Sequence, residues 1–147
     1  NLKFINNDEF IFFSNYNSSK ASAFKSHNQI AALLYWSSIN IQIRMKAKIK
    51  KTSKEFNNKY FFDRSEKKNA LAISSNQSEL IESYSQVKEN YYNLLEGGDL
   101  KKCPDYWGGY TFTPYYFEFW EGHESRINKR EIFEMCNNVW KHSFLQP

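Results

Sequence analysis

The chain has 147 residues, 18% of them aromatic, with 13 Phe and 10 Tyr but only 5 Gly and 3 Pro. That length suits one domain with a real core, and so many bulky apolar residues exclude a disordered chain. A net charge of +4 permits an anionic ligand but falls short of the basic bias of a nucleic-acid binder.

The opening "NLKFI" lacks Met and already reads as a strand, so an N-terminal segment is expected to precede it. "LKFI" and "EFIFFSN" flank "NND", whose residue types suit a hairpin turn. Ser18 or Ser19 is placed to N-cap a short helix reaching about Lys25. "QIAALLYW" (29–36) is an unbroken apolar run, which predicts a buried strand. "INIQIRMKAKIK" (39–50) alternates throughout. It turns Ile39, Ile41, Ile43, Met45, Ala47 and Ile49 to the core, and Asn40, Gln42, Arg44, Lys46 and Lys48 away. The lysines of 44–54 then read as the wet face of a strand.

"TSKE" (52–55) has the form of a capping box, with Thr52 and Glu55 opening a helix that runs to about Phe62. Phe56 and Tyr60 share a face of it at i, i+4. A second short helix and a loop are expected across 63–79. Residues 83–98 predict a helix with Val87, Tyr91, Leu94 and Leu95 inward, stopped by Gly97 and Gly98. Strands follow at about 109–113, 115–120 and 126–135; "CNN" then turns the chain into "VWKHSFL". The order predicts a mainly β fold, one domain over 1–147, a β-barrel with added helices.

Cys103 and Cys136 show no spacing that specifies a disulfide, so reduced thiols in an intracellular, cytoplasmic protein are the simpler expectation. His27, His123 and His142 lie far apart, without metal-ligand spacing. No apolar run is long enough for a membrane helix.

The segment "FEFWEGHESRINKR" (117–130) carries the strongest chemical signal. Read as two strands about Gly122, where a positive φ would favour glycine, it puts Tyr116, Glu118 and Trp120 on one face. The second strand shows Arg126, Asn128, Arg130 and Ile132 on a common face. Guanidinium forks beside an aromatic plate suit a planar, anionic heterocycle; a solvated strand face is the alternative. "SNYNSSK" (14–20) brings hydroxyls and an ammonium to a helix start, which suits a phosphate or a plain cap. "NQS" (76–78) can read a heterocycle edge or be loop polarity, and Tyr60 with Arg64 can clamp a phosphate or form a surface pair.

Together these segments resemble the pyridoxine (pyridoxamine) 5′-phosphate oxidase family. "DYWGGYTFTPYYFEFWEGHESRINKR" is similar to the family's W-G-G, E-F-W and R-x-H-D-R signature, and "IFFSNYNSSK" to its F-Y-T-N-x-x-S-R-K segment. Gln42, "YFFDR" and "NQS" fall at matching spacings, so the resemblance covers essentially the whole chain. It implies a homodimeric split β-barrel that binds flavin mononucleotide (FMN) and oxidises pyridoxine or pyridoxamine 5′-phosphate to pyridoxal 5′-phosphate with O2. By this resemblance, Phe13, Ser14, Ser19, Lys20, Gln42, Gln77, Ser78, Trp120 and Arg130 contact flavin. Lys3, Tyr60, Arg64 and Lys68 take the substrate phosphate, while Arg126 and Asn128 meet the reacting ring as the catalytic pair. No nucleic acid, membrane or metal is implied.

The chain departs from the pattern at named positions. Asn128 replaces a His, Ser19 an Arg, Lys68 a Ser, Lys129 an Asp and Phe144 an Arg, and only "NLK" remains of an R-M-V-L-L-K strand. Asn128 hydrogen-bonds but takes up no proton at neutral pH. These departures keep open a divergent split-barrel reductase or a non-catalytic flavin-binding protein. From another class, a barrel binding single-stranded nucleic acid would use the same aromatic plates, but the basic residues form no dense track.

Overall fold

The computed structural model describes residues 1–147. Its strands and helices follow one another as β1 (Leu2–Asn6), β2 (Glu9–Asn15), α1 (Ser19–Ser26), β3 (Gln29–Trp36), β4 (Ile41–Lys51) and α2 (Lys54–Asp63). Then come α3 (Glu66–Ser74), α4 (Tyr84–Gly97), β5 (Trp107–Glu121), β6 (Lys129–Cys136) and β7 (Val139–Leu145). Hydrogen-bonded neighbours run β1-β2-β5-β4-β3, with β6 also on β5 and β7 on β6. β5 has 15 residues, which gives it the length to serve three neighbours.

The sequence pattern divides β5 at Pro114, whereas the structure runs one strand through it. Proline's fixed φ lies within the extended region, so only one ladder donor is lost. The turn between β6 and β7 follows expectation. Asn137 and Asn138 take φ values of 50° and 62°, the left-handed pair that a two-residue hairpin needs. Asn7, between β1 and β2, likewise sits at φ 55°.

β3 forms as expected, antiparallel to β4 from Gln29↔Lys48 to Trp36↔Ile41. Its predicted burial does not hold: Leu33, Tyr35 and Trp36 are more than half exposed. β3 ends the strand order with one neighbour, so an apolar run there is left uncovered within a single chain. On β4, Met45, Ala47 and Ile49 are buried as the alternation requires. Ile41 and Ile43 are only half-buried, and Ile39 lies exposed in a 3-10 turn at Ser37–Ile39.

Helix starts also differ in detail. Ser53, not Thr52, caps α2: its hydroxyl accepts from Phe56 N at 3.2 Å. Thr52 instead donates to Asn57 Oδ1 at 2.6 Å. Glu55 stays in the first turn, where its own backbone N–H holds its carboxyl below the usual range. Ser18 caps α1 by position, but its hydroxyl donates back to Asn15 O at 2.8 Å. α4 presents Val87, Tyr91, Leu94 and Leu95 as its half-buried side, and Gly98 N–H closes on Leu94 O at 2.9 Å.

The chain groups into two compact units. One comprises residues 1–6, 10–27 and 50–111; the other comprises 7–9, 28–49 and 112–147. In the first, Phe61 is fully buried and meets Trp107 edge-on, and buried Asn69 donates to Phe61 O and Leu100 O, both at 2.8 Å. Gly108 of "WGG" is required there, because a Cβ would strike the Tyr16 hydroxyl and the Asn57 amide, which are bonded at 3.1 Å. In the second unit, Met45, Ala47, Ile49, Phe112 and Ile132 form the core. No helix is long and apolar enough to cross a membrane.

Candidate functional site

In the first unit, β2 delivers Phe13 and Ser14 to a cavity of about 250 Å³, which Arg64, Lys68, Gln77 and Trp107 also line. Strand alternation sends Ser14 inward, where it is buried. Its hydroxyl donates to Gln77 Oε1 at 3.2 Å and accepts from Lys20 Nζ at 3.4 Å. Asn15 N–H also reaches Gln77 Oε1, at 3.4 Å. The 14–20 and 76–78 segments, 63 positions apart at Ser14 and Gln77, therefore meet as the sequence reading requires. Ser19 opens α1 beside Lys20 with an exposed side chain, and Ser78 is exposed at φ 75°.

The cavity has an aromatic wall. Phe13 stacks on Tyr60 with centroids 3.9 Å apart and on Trp107 at 5.0 Å, and Phe4 meets Tyr60 edge-on at 5.4 Å. Arg64 lies just past the end of α2, its guanidinium 5.0 Å from the Trp107 ring centroid. Partial burial lowers its pKa from the ordinary value. Tyr60 and Arg64 thus converge on Trp107 rather than forming a surface pair. Lys3 is exposed on β1. The cavity lining carries the cations Arg64 and Lys68 and no carboxylate, which fits a phosphorylated, planar ligand.

In the second unit, β5 and β6 pair Trp120 with Arg130. Glu118 lies one step along the same face, only 5% exposed. Its Oε1 accepts from Arg130 Nε at 2.8 Å and from Arg44 Nη1 at 3.0 Å. The Arg130 hydrogen bond is the main reason that its carboxyl sits below the usual range. Arg44 also reaches Gln42 on its own strand and lies 5.6 Å from the Trp120 ring centroid. Gln42, Trp120 and Arg130 are therefore joined through Arg44 and Glu118, which the sequence reading left outside the site. Glu118 was visible on the Trp120 face, but its partners come from other strands and no local spacing announces them.

Arg126 and Asn128 require a correction. They lie in the turn before β6, not on the strand face with Arg130. Arg126 takes a left-handed φ of 61°. Asn128 Oδ1 accepts from His123 N at 3.0 Å, and His123 Nδ1 accepts from Ser125 N at 3.1 Å. The turn is thus held by its own side chains, and the free end of Asn128 is its amide donor. Gly122 has no positive φ. A Cβ there would meet the amide of Asn40, an exposed side chain that can turn aside, and the Gly122 N–H donates to Asn40 O at 3.0 Å.

Residues 107–147 match the family described as "Pyridoxine 5'-phosphate oxidase C-terminal dimerisation region". A pyridoxine/pyridoxamine 5'-phosphate oxidase of Paraburkholderia phytofirmans is 35% identical over 149 residues, covering 99% of this chain and 70% of that protein. One of Leptospira biflexa is 32% identical over 148 residues, with the same coverage. The crystal structure of PhzG from Burkholderia lata, in complex with tetrahydrophenazine-1-carboxylic acid, superposes with a TM-score of 0.88 at 27% identity. That match covers 99% of this chain and 72% of the other. An FMN-binding protein of Nostoc punctiforme, related to pyridoxamine 5'-phosphate oxidase, shares the fold at TM-score 0.74 and 12% identity. The fold is the split barrel, mainly β with added helices. The chain belongs to the pyridoxine/pyridoxamine 5'-phosphate oxidase family.

Proposed function

We propose that this protein is an FMN-dependent oxidase that converts pyridoxine or pyridoxamine 5′-phosphate to pyridoxal 5′-phosphate, with O2 as final acceptor. The observation that carries the reading is the cationic cavity. Phe13, Ser14 and Gln77, at flavin positions of the family pattern, line it together with Arg64 and Lys68, at substrate-phosphate positions. Bound FMN would supply the two-electron acceptor, and O2 would take those electrons on as hydrogen peroxide.

The chain's own residues bind and orient. By the family pattern Ser14, Ser19, Lys20, Gln77 and Ser78 would hold flavin, and so would Gln42, Trp120 and Arg130. Lys3, Tyr60, Arg64 and Lys68 grip the substrate phosphate, with Lys68 adding a charge that the family pattern lacks. That grip sets the reacting carbon in place. Arg126 covers the substrate ring. Asn128 offers an amide donor and no proton acceptor of useful basicity, so the substrate proton leaves by another route. Residues 107–147 match a dimerisation region, which supports a homodimer.

A second reading has its own support. The similarity to PhzG favours a cyclic carboxylic acid as substrate, and Arg64 with Lys68 would take a carboxylate as readily as a phosphate. Product analysis separates the readings. Incubated with FMN, O2 and pyridoxine 5′-phosphate, the protein should yield equal amounts of pyridoxal 5′-phosphate and hydrogen peroxide. Turnover of tetrahydrophenazine-1-carboxylic acid alone would replace the first reading with the second.

A further inference from the structure

Arg44 and Glu118 have no part in the reading above, yet they bond to residues that do. Arg44 donates to Gln42 Oε1 from Nε at 3.1 Å and from Nη2 at 3.0 Å, and from Nη1 to Glu118 Oε1 at 3.0 Å. A guanidinium carries donors only. It therefore selects the carbonyl end of the Gln42 amide and leaves the NH2 end for whatever lies beyond; the opposite orientation would set N–H against N–H. Two donors on one oxygen make this choice firm, and the planar fork matches it where a Lys would not.

Glu118 holds that fork in place. Its buried Oε1 also takes Arg130 Nε at 2.8 Å, and the Tyr116 hydroxyl donates to Oε2 at 3.4 Å. One carboxylate thus sets two guanidiniums, with the Trp120 ring beside Arg44. A buried carboxylate without these partners would be costly, so the pair constrains as well as attracts.

We infer that Arg44 is a positioning residue that fixes Gln42 as a hydrogen-bond donor toward its ligand, with Glu118 anchoring Arg44 and Arg130 for that purpose. The inference rests on the proposed contact between Gln42 and flavin, and adds its polarity. The ligand edge at Gln42 must offer an acceptor, a carbonyl oxygen or an unprotonated ring nitrogen, as an oxidised flavin ring does. A ligand with an N–H at that edge is rejected.

A double-mutant cycle on FMN affinity, read by quenching of flavin fluorescence, tests it. Arg44→Met should weaken FMN binding about tenfold when Gln42 is present, the worth of one well-made hydrogen bond. In a Gln42→Ala background the same change should cost less than about twofold. The bound flavin's absorption spectrum should shift alike in Arg44→Met and Gln42→Ala. Arg44→Lys keeps the charge toward Glu118 but loses the fork, and should repeat the pattern should Arg44→Met fail to fold. Equal losses with and without Gln42, in either Arg44 variant that folds, would overturn the inference while leaving the flavin reading intact. A wild-type protein that binds no FMN would overturn both.

Discussion

Asn128 shows how far one side chain can be read from its position. The family pattern offers it as a substrate contact, but its carbonyl oxygen is engaged by His123 N–H, within a turn that holds Arg126 at a left-handed φ. That φ makes Arg126→Gly the cleaner removal of the guanidinium, since glycine accepts the backbone geometry that alanine resists. Loss of a charge-assisted hydrogen bond to substrate should lower kcat/KM by about 10- to 100-fold. FMN affinity, measured on the same preparation, should stay unchanged; an equal loss of both would remove Arg126 from the substrate role. Glu118 makes a prediction in pH. Its folded carboxyl titrates below the ordinary range, so on acidification the unfolded chain takes up the proton first. The stabilisation is complete above the unfolded value of about 4.3 and is lost as pH falls from there through the lower folded value. Urea midpoints measured between pH 6 and pH 3 should therefore fall more steeply for wild type than for Glu118→Gln. Parallel curves would contradict the assignment.

Among the elements, the cap of α2 separates two neighbouring hydroxyls. Ser53→Ala should cost about 1 kcal/mol, while Thr52→Ser keeps the hydroxyl that reaches Asn57 and should cost under about 0.5 kcal/mol. Denaturant unfolding of both variants checks this, and the reverse order would return the cap to Thr52. The sequence named the right helix and missed its cap by one residue, because Thr52 and Ser53 are both capping types. Other elements divide in the same way. The alternation of β4 identified Met45, Ala47 and Ile49 as core because period two is a local signal. The apolar run of β3 identified a strand but not its exposure, since such a run does not say whether its own chain covers it. The alternation of β6, extended backward, wrongly carried Arg126 and Asn128 onto a strand, because a left-handed residue leaves no mark when it is an Arg. Ser14 and Gln77 lie in segments that residue type marked as binding or plain polarity, and family spacing decided between the two. Glu118 was legible on the Trp120 face but its ion pairs were not, since its partners come from other strands.

For the whole molecule, exposed apolar side chains are the outstanding feature. Leu33, Tyr35 and Trp36 on β3, and Val139, Trp140 and Phe144 on β7, lie open in the single chain. The last three fall in residues 107–147, which match a dimerisation region. Sedimentation equilibrium should therefore give about twice the 17.6 kDa chain mass, and Trp36→Glu should shift the population toward monomer. A wild-type monomer at micromolar concentration would contradict the homodimer. The central claim is that this fold oxidises a vitamin B6 phosphate despite Asn128. It is tested most directly by loading the protein with FMN, removing oxygen, adding pyridoxine 5′-phosphate and following the flavin absorption band. Bleaching, with one pyridoxal 5′-phosphate formed per flavin, is the predicted result. A bound flavin that stays oxidised would contradict the claim.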